Sequence, residues 1–460
     1  MTPLTFTLAF AGALLASVGL RLWLASRQAR HVARHRGAVP AQFAERIPLA
    51  AHQRAADYTL ARTKLGLVET LVGAVVLVGF TVLGGIGAIA DLLRAWLPDA
   101  PFLRQVLLVG AVAAIGGAVD LPMSWYRQFG LEKRFGFNRM TPRLVLAALA
   151  KGTLLAVALG APLLVAVLWL MERTGSLWWL WAWALWVAFN LAVLVLYPTV
   201  IAPMFNTFVP LEPGPVRERV ERLLARCGFA SKGLFVMDGS RRSAHGNAYF
   251  TGFGRGKRIV FFDTLLSRLN ADEIEAVLAH ELGHFTHRHI VKRIVASFAI
   301  SLAGLWLLGW LSRQPWFYQG LGVTPQAGDA LGGYALLLFF LAMPAFTFAL
   351  HPLGSWLSRR HEFEADAFAA RQSSALLRQA ARSAPRRSCC RKTTPPARIA
   401  SWPCCRSWQR ARLSASCRSA SRRANSSNRC SKSSSRPRAS PSTTAAPAPR
   451  RATRARGCRC

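Results

Sequence analysis

Two histidines four residues apart, His280 and His284, enclose a glutamate in HELGH, and no other residues of the chain are better suited to chemistry. On an α-helix, side chains at i and i+4 share a face, so both imidazoles can reach one tetrahedral zinc ion while Glu281 lies beside it as a base. The flanking residues predict that helix. Asn270 and Glu273 have the types and spacing of an N-cap and its capping-box partner, and EIEAVLAHELGHF carries apolar residues at helical spacing, so a helix should begin at Ala271.

A catalytic zinc site takes a third protein ligand and leaves a position for water. The next candidate is SRRHEFEADAFAA at 358–370, separated from HELGH by two apolar stretches long enough to cross a bilayer. Two crossings return the chain to the side it left, which lets Glu362 join His280 and His284 around a single Zn2+. Asp366 falls one helical turn beyond Glu362 on the same face, placed to accept a hydrogen bond from a ligating imidazole and fix its tautomer. Glu364, offset by about 200° from Glu362 around the helix, should point away. His287 lies about 10 Å along the axis from His280, and with His289 it reads as part of a basic surface face, HRHIVKR. His245, His351 and His361 read as lone histidines rather than ligands.

That ligand set predicts hydrolysis. Zinc acidifies its water and polarises a carbonyl, and Glu281 takes the proton and delivers it to the leaving amine. HGNAYFTGF (245–253) and KRIVFF (257–262) read as two strands joined by a Gly-rich turn, a hairpin whose edge can hold an extended peptide substrate.

The composition says where these groups must be held. Of 460 residues 52% are hydrophobic and 15 are Trp, too apolar for an ordinary soluble domain of this size. Seven mostly apolar stretches of spanning length lie near 4–20, 66–90, 103–123, 144–172, 177–203, 294–312 and 330–350. The first has no basic segment before it and is followed by Arg21 and Arg27, so it is expected to be an uncleaved span rather than a signal peptide. Residues 21–65 carry nine Lys/Arg against two acids and 124–143 carry five, whereas 91–102 and 313–329 carry one each. Basic loops mark the cytoplasmic side, which puts the N-terminus outside and 204–293 in the cytoplasm. Glu69, Arg104, Asp120 and Lys151 fall in or at the edges of spans, where such groups face a hydrated cavity or reach toward the surface.

The fold expected is therefore mainly α: a seven-span helical membrane protein enclosing a hydrated chamber, with a small cytoplasmic α+β zinc-protease element. Its parts would be five spans with cytoplasmic loops over 1–203, a catalytic segment at 204–293, spans six and seven at 294–350, and a third-ligand helix at 351–370. The lipid bilayer and a protein or peptide substrate are the partners expected, and nucleic acid is not; the sequence does not set an oligomeric state. Arg-rich usage, 50 Arg against 8 Lys, points to GC-rich coding and a bacterial inner membrane, with the endoplasmic reticulum as the eukaryotic counterpart.

From Arg371 onward the sequence changes character. Residues 371–460 hold 23 Lys/Arg with no Asp or Glu, so +23 of the net +37 lies there and +14 in the remainder, and they hold eight of the nine Cys. This basic, low-complexity tail lacks the periodicity needed to bury a core, and its Cys spacing matches no disulfide or metal framework. Its Arg, Ser, Pro, Ala and Cys content is that of an out-of-frame reading of GC-rich DNA.

Five segments, FGLEKRFGFNRMT (129–141), IAPMFNTFVPL (201–211), GSRRSAHGNAYFTGFGRGKRIVFFDTLL (239–266), HELGHFTHRH (280–289) and EFEADAFA (362–369), together resemble the CAAX prenyl protease 1 family of integral-membrane zinc metalloendopeptidases. The resemblance runs from the first span to about Ala370. It implies seven spans around a large water-filled chamber, zinc on His280, His284 and Glu362, Glu281 as catalytic base, Asp366 supporting a ligand, and Asn247 in contact with substrate or oxyanion. Eukaryotic members remove the C-terminal tripeptide of prenylated CAAX proteins and process mating-pheromone precursors; a role in protein quality control is proposed for bacterial relatives. The family also has a His-Pro-Pro segment downstream whose His steadies the oxyanion, and this chain has no His after His361. Loss of one such donor costs about 10²–10³ in rate. Two competing readings are a heat-shock HtpX-type quality-control protease, which shares HExxH and ExxxD but has four spans and lacks the GFN and NAYF segments, and a catalytically impaired zinc-binding membrane protein with a basic tail.

Overall fold

The computed structural model describes residues 1–372 apart from 46, 230 and 252–257, with backbone alone at 42. All but the first two residues of the basic tail lie outside these, as does the turn between the two predicted strands.

Helices α1 (Pro3–Arg34), α2 (Leu49–Phe80), α3 (Gly85–Trp96), α4 (Pro101–Trp125), α5 (Pro142–Arg173) and α6 (Trp178–Leu196) form the N-terminal half. A Thr-Pro pair starts α1 and α5 alike: the Thr2 and Thr141 hydroxyls accept hydrogen bonds from the backbone N–H groups of Thr5 and Leu144, and proline occupies the first helical position. α4 continues through a π-helical segment at Tyr126–Glu132, and α6 through another at Tyr197–Ile201 before the short α7 (Ala202–Phe205). All of α1–α6 but the 12-residue α3 are long and apolar enough to cross a membrane, and α11 (His289–Leu311) and α13 (Gly332–Thr347) bring the number among the described residues to seven.

The second span is displaced from its predicted place. The helix covers Leu49–Phe80 rather than 66–90, because Gly84 takes a left-handed φ of 78° and the chain turns there. A Cβ on Gly85 would lie 2.5 Å from the Gly79 carbonyl oxygen, so the turn tolerates no side chain. Most of the predicted basic loop at 21–65 is helical as well. At 1.5 Å per residue, a 32-residue helix is about 48 Å long against a hydrocarbon core of about 30 Å, so α1 and α2 carry their basic ends beyond the bilayer.

The membrane helices share a hydrophobic core at one end, while at the other they meet through scattered polar and aromatic contacts. One core joins the start of α1 (Phe6, Phe10), the end of α2 (Phe80), the start of α4 (Leu108, Val112), the end of α5 (Leu168), the start of α6 (Trp178, Ala182), the end of α11 (Leu308, Leu311) and α13. Away from it few side chains are covered. Leu168 is the one buried residue of α5, and those of α11 are His289 at one end and Leu308, Gly309 and Leu311 at the other. Helices held together at one end and bare on most faces elsewhere are the walls of an open interior. Exposed Trp96, Trp169, Trp181, Trp306 and Trp310 lie toward the packed end of their helices, and Trp23, Trp125 and Trp356 toward the other, as in the aromatic belts of the two bilayer interfaces.

The four groups singled out within the spans divide between the two ends. Arg104 donates to the carbonyls of Leu97 (3.0 Å) and Pro98 (2.6 Å) at the packed end. Away from that end Glu69 pairs with Arg127, Lys151 reaches the Met204 carbonyl at 3.1 Å, and Asp120 is exposed along α4.

A second core lies beyond the helices. Strands β1 (Phe208–Pro210), β2 (Leu234–Met237), β3 (Ala248–Thr251) and β4 (Arg258–Phe262) form one sheet in the order β1-β2-β4-β3, with β2 and β4 parallel and both outer pairs antiparallel. The predicted hairpin is β3 and β4, registered Ala248 to Phe261, and β3 is an edge strand. α8 (Pro215–Arg226) and α10 (Ala271–Thr286) cover the sheet, burying Val220, Leu223, Ile259, Phe261, Ile274 and Leu278 completely. The one-turn α9 (Asp263–Leu266) links β4 to α10; α12 (Pro315–Gln319) follows α11, and α14 (His351–Gln372) closes the described chain.

Candidate metal centre

α10 begins at Ala271 as its cap predicts. The Asn270 side chain accepts from the Glu273 N–H at 3.0 Å, and the Glu273 carboxylate accepts from the Asn270 N–H at 2.8 Å. Ile274, Leu278 and Leu282, spaced by four, face the sheet core, which turns His280 and His284 toward α14. Gly283 lets α14 approach. A Cβ there would lie 2.8 Å from Ala365 Cα and 3.0 Å from Ala365 O, so the two backbones touch where any side chain would hold them apart. That contact brings Glu362 and Asp366, one turn apart, against the two histidines.

The result is a compact triangle of ligand atoms. His280 Nε2 and His284 Nε2 are 3.2 Å apart, and Glu362 Oε2 is 3.5 Å from the first and 3.7 Å from the second. A tetrahedral zinc with bonds of about 2.0–2.1 Å has ligand–ligand edges of about 3.3–3.4 Å. His280 Nδ1 lies 2.9 Å from Asp366 Oδ1; with its proton on that nitrogen, Nε2 presents a lone pair to the centre of the triangle. Two imidazole lone pairs and a carboxylate converging at these distances suit a dication. Burial pushes the Glu281 carboxyl above the usual carboxylate range; the His280 and His284 imidazoles oppose the shift and the Glu362 charge adds to it.

Two residues stand where the sequence did not place them. His289, expected on a basic surface, is 1% exposed, and its Nδ1 lies 3.0 Å from His284 Nδ1. Glu364, expected to point away, lies with Oε2 2.9 Å from His289 Nε2. Both departures have one cause: Arg288 takes φ 54°, ψ 33°, the one left-handed non-glycine among the described residues, so α10 ends there and α11 reverses to fold His289 back onto His284. Reading HRHIVKR as a basic surface face missed this, since no glycine marks the turn. His287 donates from Nδ1 to the Gly283 carbonyl at 2.9 Å, within its own helix end, and is not in the ligand triangle.

Asn247 sits at the entry to β3, which packs against α10. Its backbone carbonyl accepts from the Phe262 N–H at 2.9 Å, while its Oδ1 is buried with no hydrogen-bond partner among the described residues. The segment before it is held by the membrane helices. Asn138 bridges Ser243, Ala244 N–H donates to the Phe137 carbonyl at 3.1 Å, and the Phe137 ring stacks on His245 at 4.6 Å. Tyr58 of α2 packs edge-on against Phe137 and donates to Glu132 at 2.6 Å. The GFN residues at 136–138 thus tie the end of α4 to the strand that enters the site.

The five-membrane-helix N-terminal model of CAAX prenyl proteases matches residues 28–207, and the model of peptidase family M48 matches 210–399. CAAX prenyl protease 1 of Saccharomyces cerevisiae is 36% identical over 283 residues, covering 58% of this chain and 61% of that protein. The Arabidopsis thaliana homologue is 34% identical over 277 residues, covering 59% and 63%, and the human homologue 28% identical over 309 residues, covering 59% and 65%. The chain thus spans somewhat over three-fifths of the length of these relatives. The crystal structure of S. mikatae Ste24p superposes with a TM-score of 0.74 at 28% identity, over 80% of this chain and 88% of that one. Two adjoining family models over most of the chain and the same arrangement of helices and sheet agree: the chain belongs to peptidase family M48, in the branch whose N-terminal region is that of the CAAX prenyl proteases.

Proposed function

We propose that this chain is a membrane-embedded zinc endopeptidase acting on extended peptides, CAAX-type protein C-termini among them. The observation that carries the reading is the triangle of His280, His284 and Glu362 with edges of 3.2, 3.5 and 3.7 Å beside a half-buried Glu281. The three residues would hold one Zn2+, which when bound supplies a Lewis acid that activates water and polarises the scissile carbonyl. Asp366 holds the His280 ring with Nε2 inward. Glu281 accepts a proton on its carboxylate and hands it to the leaving amine, and its burial makes it the stronger base for the first step. Edge strand β3 offers its backbone to an extended substrate, and the unpaired Asn247 Oδ1 can accept a substrate N–H. The catalytic part, 204–293 with the helix at 351–370, would face the cytoplasm, because the basic ends of α1 and α2 lie at the same end of the helices; the Arg-rich usage favours a bacterial inner membrane. The segment from 371 on would be a basic tail without the family's downstream His, and turnover slower by about 10²–10³ is expected on that account. The GFN and NAYF segments and the seven spans favour this reading over the HtpX-type one.

The test is cleavage by the zinc-loaded protein in detergent of a farnesylated CAAX peptide and of an unprenylated extended peptide. Cleavage of either, lost in Glu281→Gln while zinc stays bound, supports the proposal. Full zinc occupancy with neither peptide cut overturns it and leaves the impaired zinc-binding protein as the better description.

A further inference from the structure

The two histidines of the triangle are braced differently. His280 leans directly on a carboxylate, Asp366, whereas His284 leans on a second imidazole, which in turn leans on Glu364. The order of donors in this second chain follows from its far end. Glu364 is held by the Arg360 Nε–H at 3.1 Å and, as a carboxylate, can only accept, so His289 must donate from Nε2 at 2.9 Å. His289 then carries a lone pair on Nδ1, and His284 must donate to it from its own Nδ1 at 3.0 Å. His284 is left with a lone pair on Nε2, the atom in the ligand triangle. The His289 ring is held in register by His361, stacked on it at 4.1 Å and 14°.

We propose that His289 and Glu364 are positioning residues that fix the metal-binding tautomer of His284 through this Arg360–Glu364–His289–His284 chain. The inference rests on the zinc reading above, but its test reads metal affinity rather than turnover, so the two can fail separately. With Glu364 gone, His289 is free to move its proton to Nδ1, donate to His284 and place the His284 proton on Nε2, where it blocks the metal.

The experiment is zinc affinity by competition with a chromophoric chelator, on the full chain in detergent, alongside thermal unfolding of the zinc-stripped protein. Asn at 289 puts an acceptor near the place of Nδ1, while Gln puts a donor near the place of Nε2 but offers His284 no acceptor. His289→Asn is therefore expected to bind zinc within about threefold of the parent, and His289→Gln and His289→Ala about 10–100-fold more weakly. A purely packing role at this buried site predicts the reverse order, Gln above Asn, because Gln is closer to His in volume. Glu364→Gln, which keeps an acceptor, is expected near the parent and Glu364→Ala about tenfold weaker. Gln above Asn at 289, or Glu364→Ala with unchanged affinity, overturns the proposal. Should the 289 variants fail to fold, the Glu364 pair decides, at a side chain 31% exposed. A parent chain that itself binds no zinc would instead sink the proposed function.

Discussion

Gly283→Ala adds one methyl group at the point where α10 and α14 touch, and its effect on the metal site can be worked from the contact. The new Cβ would lie 2.8 Å from Ala365 Cα, 3.0 Å from Ala365 O and 3.2 Å from Ala365 Cβ. Carbon–carbon contacts are most favourable at about 3.5–4.0 Å, so the helices must part by about 0.7 Å or more. Glu362 and Asp366 ride on the turn of α14 that moves. The Glu362 edges, now 3.5 and 3.7 Å, would exceed about 4 Å, against the tolerance of about 0.2 Å in metal–ligand distance, and Asp366 would slacken its hold on His280. Zinc affinity is expected to fall about 10–100-fold. Folding stability is a poorer readout, because overpacking costs about 1–3 kcal/mol while replacing a mid-helix glycine by alanine returns about 1 kcal/mol. The assay is zinc competition on the purified variant. Adding Ala365→Gly should rescue little, since it removes only the 3.2 Å contact and leaves the backbone ones. Affinity within twofold of the parent in Gly283→Ala would refute the idea that this close approach sets the third ligand.

Two further outcomes follow from other parts of the fold. Arg288→Val places a β-branched residue at φ 54°, where even unbranched side chains cost about 1–2 kcal/mol, so the α10–α11 reversal should loosen and zinc affinity drop, whereas Arg288→Gly should be tolerated; equal affinity in the two variants would show that the turn does not hold His289. At the packed end of the helices, burial alone would raise the Asp329 carboxyl, but the Gln326 N–H, the Arg94 guanidinium and the Tyr334 hydroxyl outweigh it and hold it below the usual range. A depressed carboxyl stabilises the fold above its unfolded value and loses that contribution as pH falls, so Asp329→Asn should cost about 2–3 kcal/mol at pH 7, a gap that closes below about pH 4. Unfolding temperatures that coincide at pH 7 would count against it.

Local pattern made much of this protein legible. The capping box at Asn270 and Glu273 starts α10 where its hydrogen bonds are now seen, and a pair of histidines at helical spacing needs only that helix to share a face. Glu362 and Asp366 required one more step, parity of membrane crossings, and their meeting with the histidines followed. Where the pattern is broken by a backbone angle, it misled. The second span ends at Phe80 because Gly84 is left-handed, inside an apolar stretch that hydropathy alone reads as continuous. His289 was placed on an outer surface by its basic neighbours in HRHIVKR, and Glu364 by counting degrees around α14.

The sequence by itself determined the membrane character, the number of spans and the two-histidine helix, because each rests on composition or on spacing within one element, and it pointed to Glu362 and Asp366 through the parity of membrane crossings. The tertiary structure decided how closely the partners meet and what stands behind them. The 3.2–3.7 Å triangle exists because Gly283 and Ala365 let two helices touch, and the brace on His284 exists because a left-handed Arg288 turns a neighbouring helix back on the site. Distances between elements far apart in the chain are set by packing, and packing is a property of surfaces that no single stretch of sequence contains.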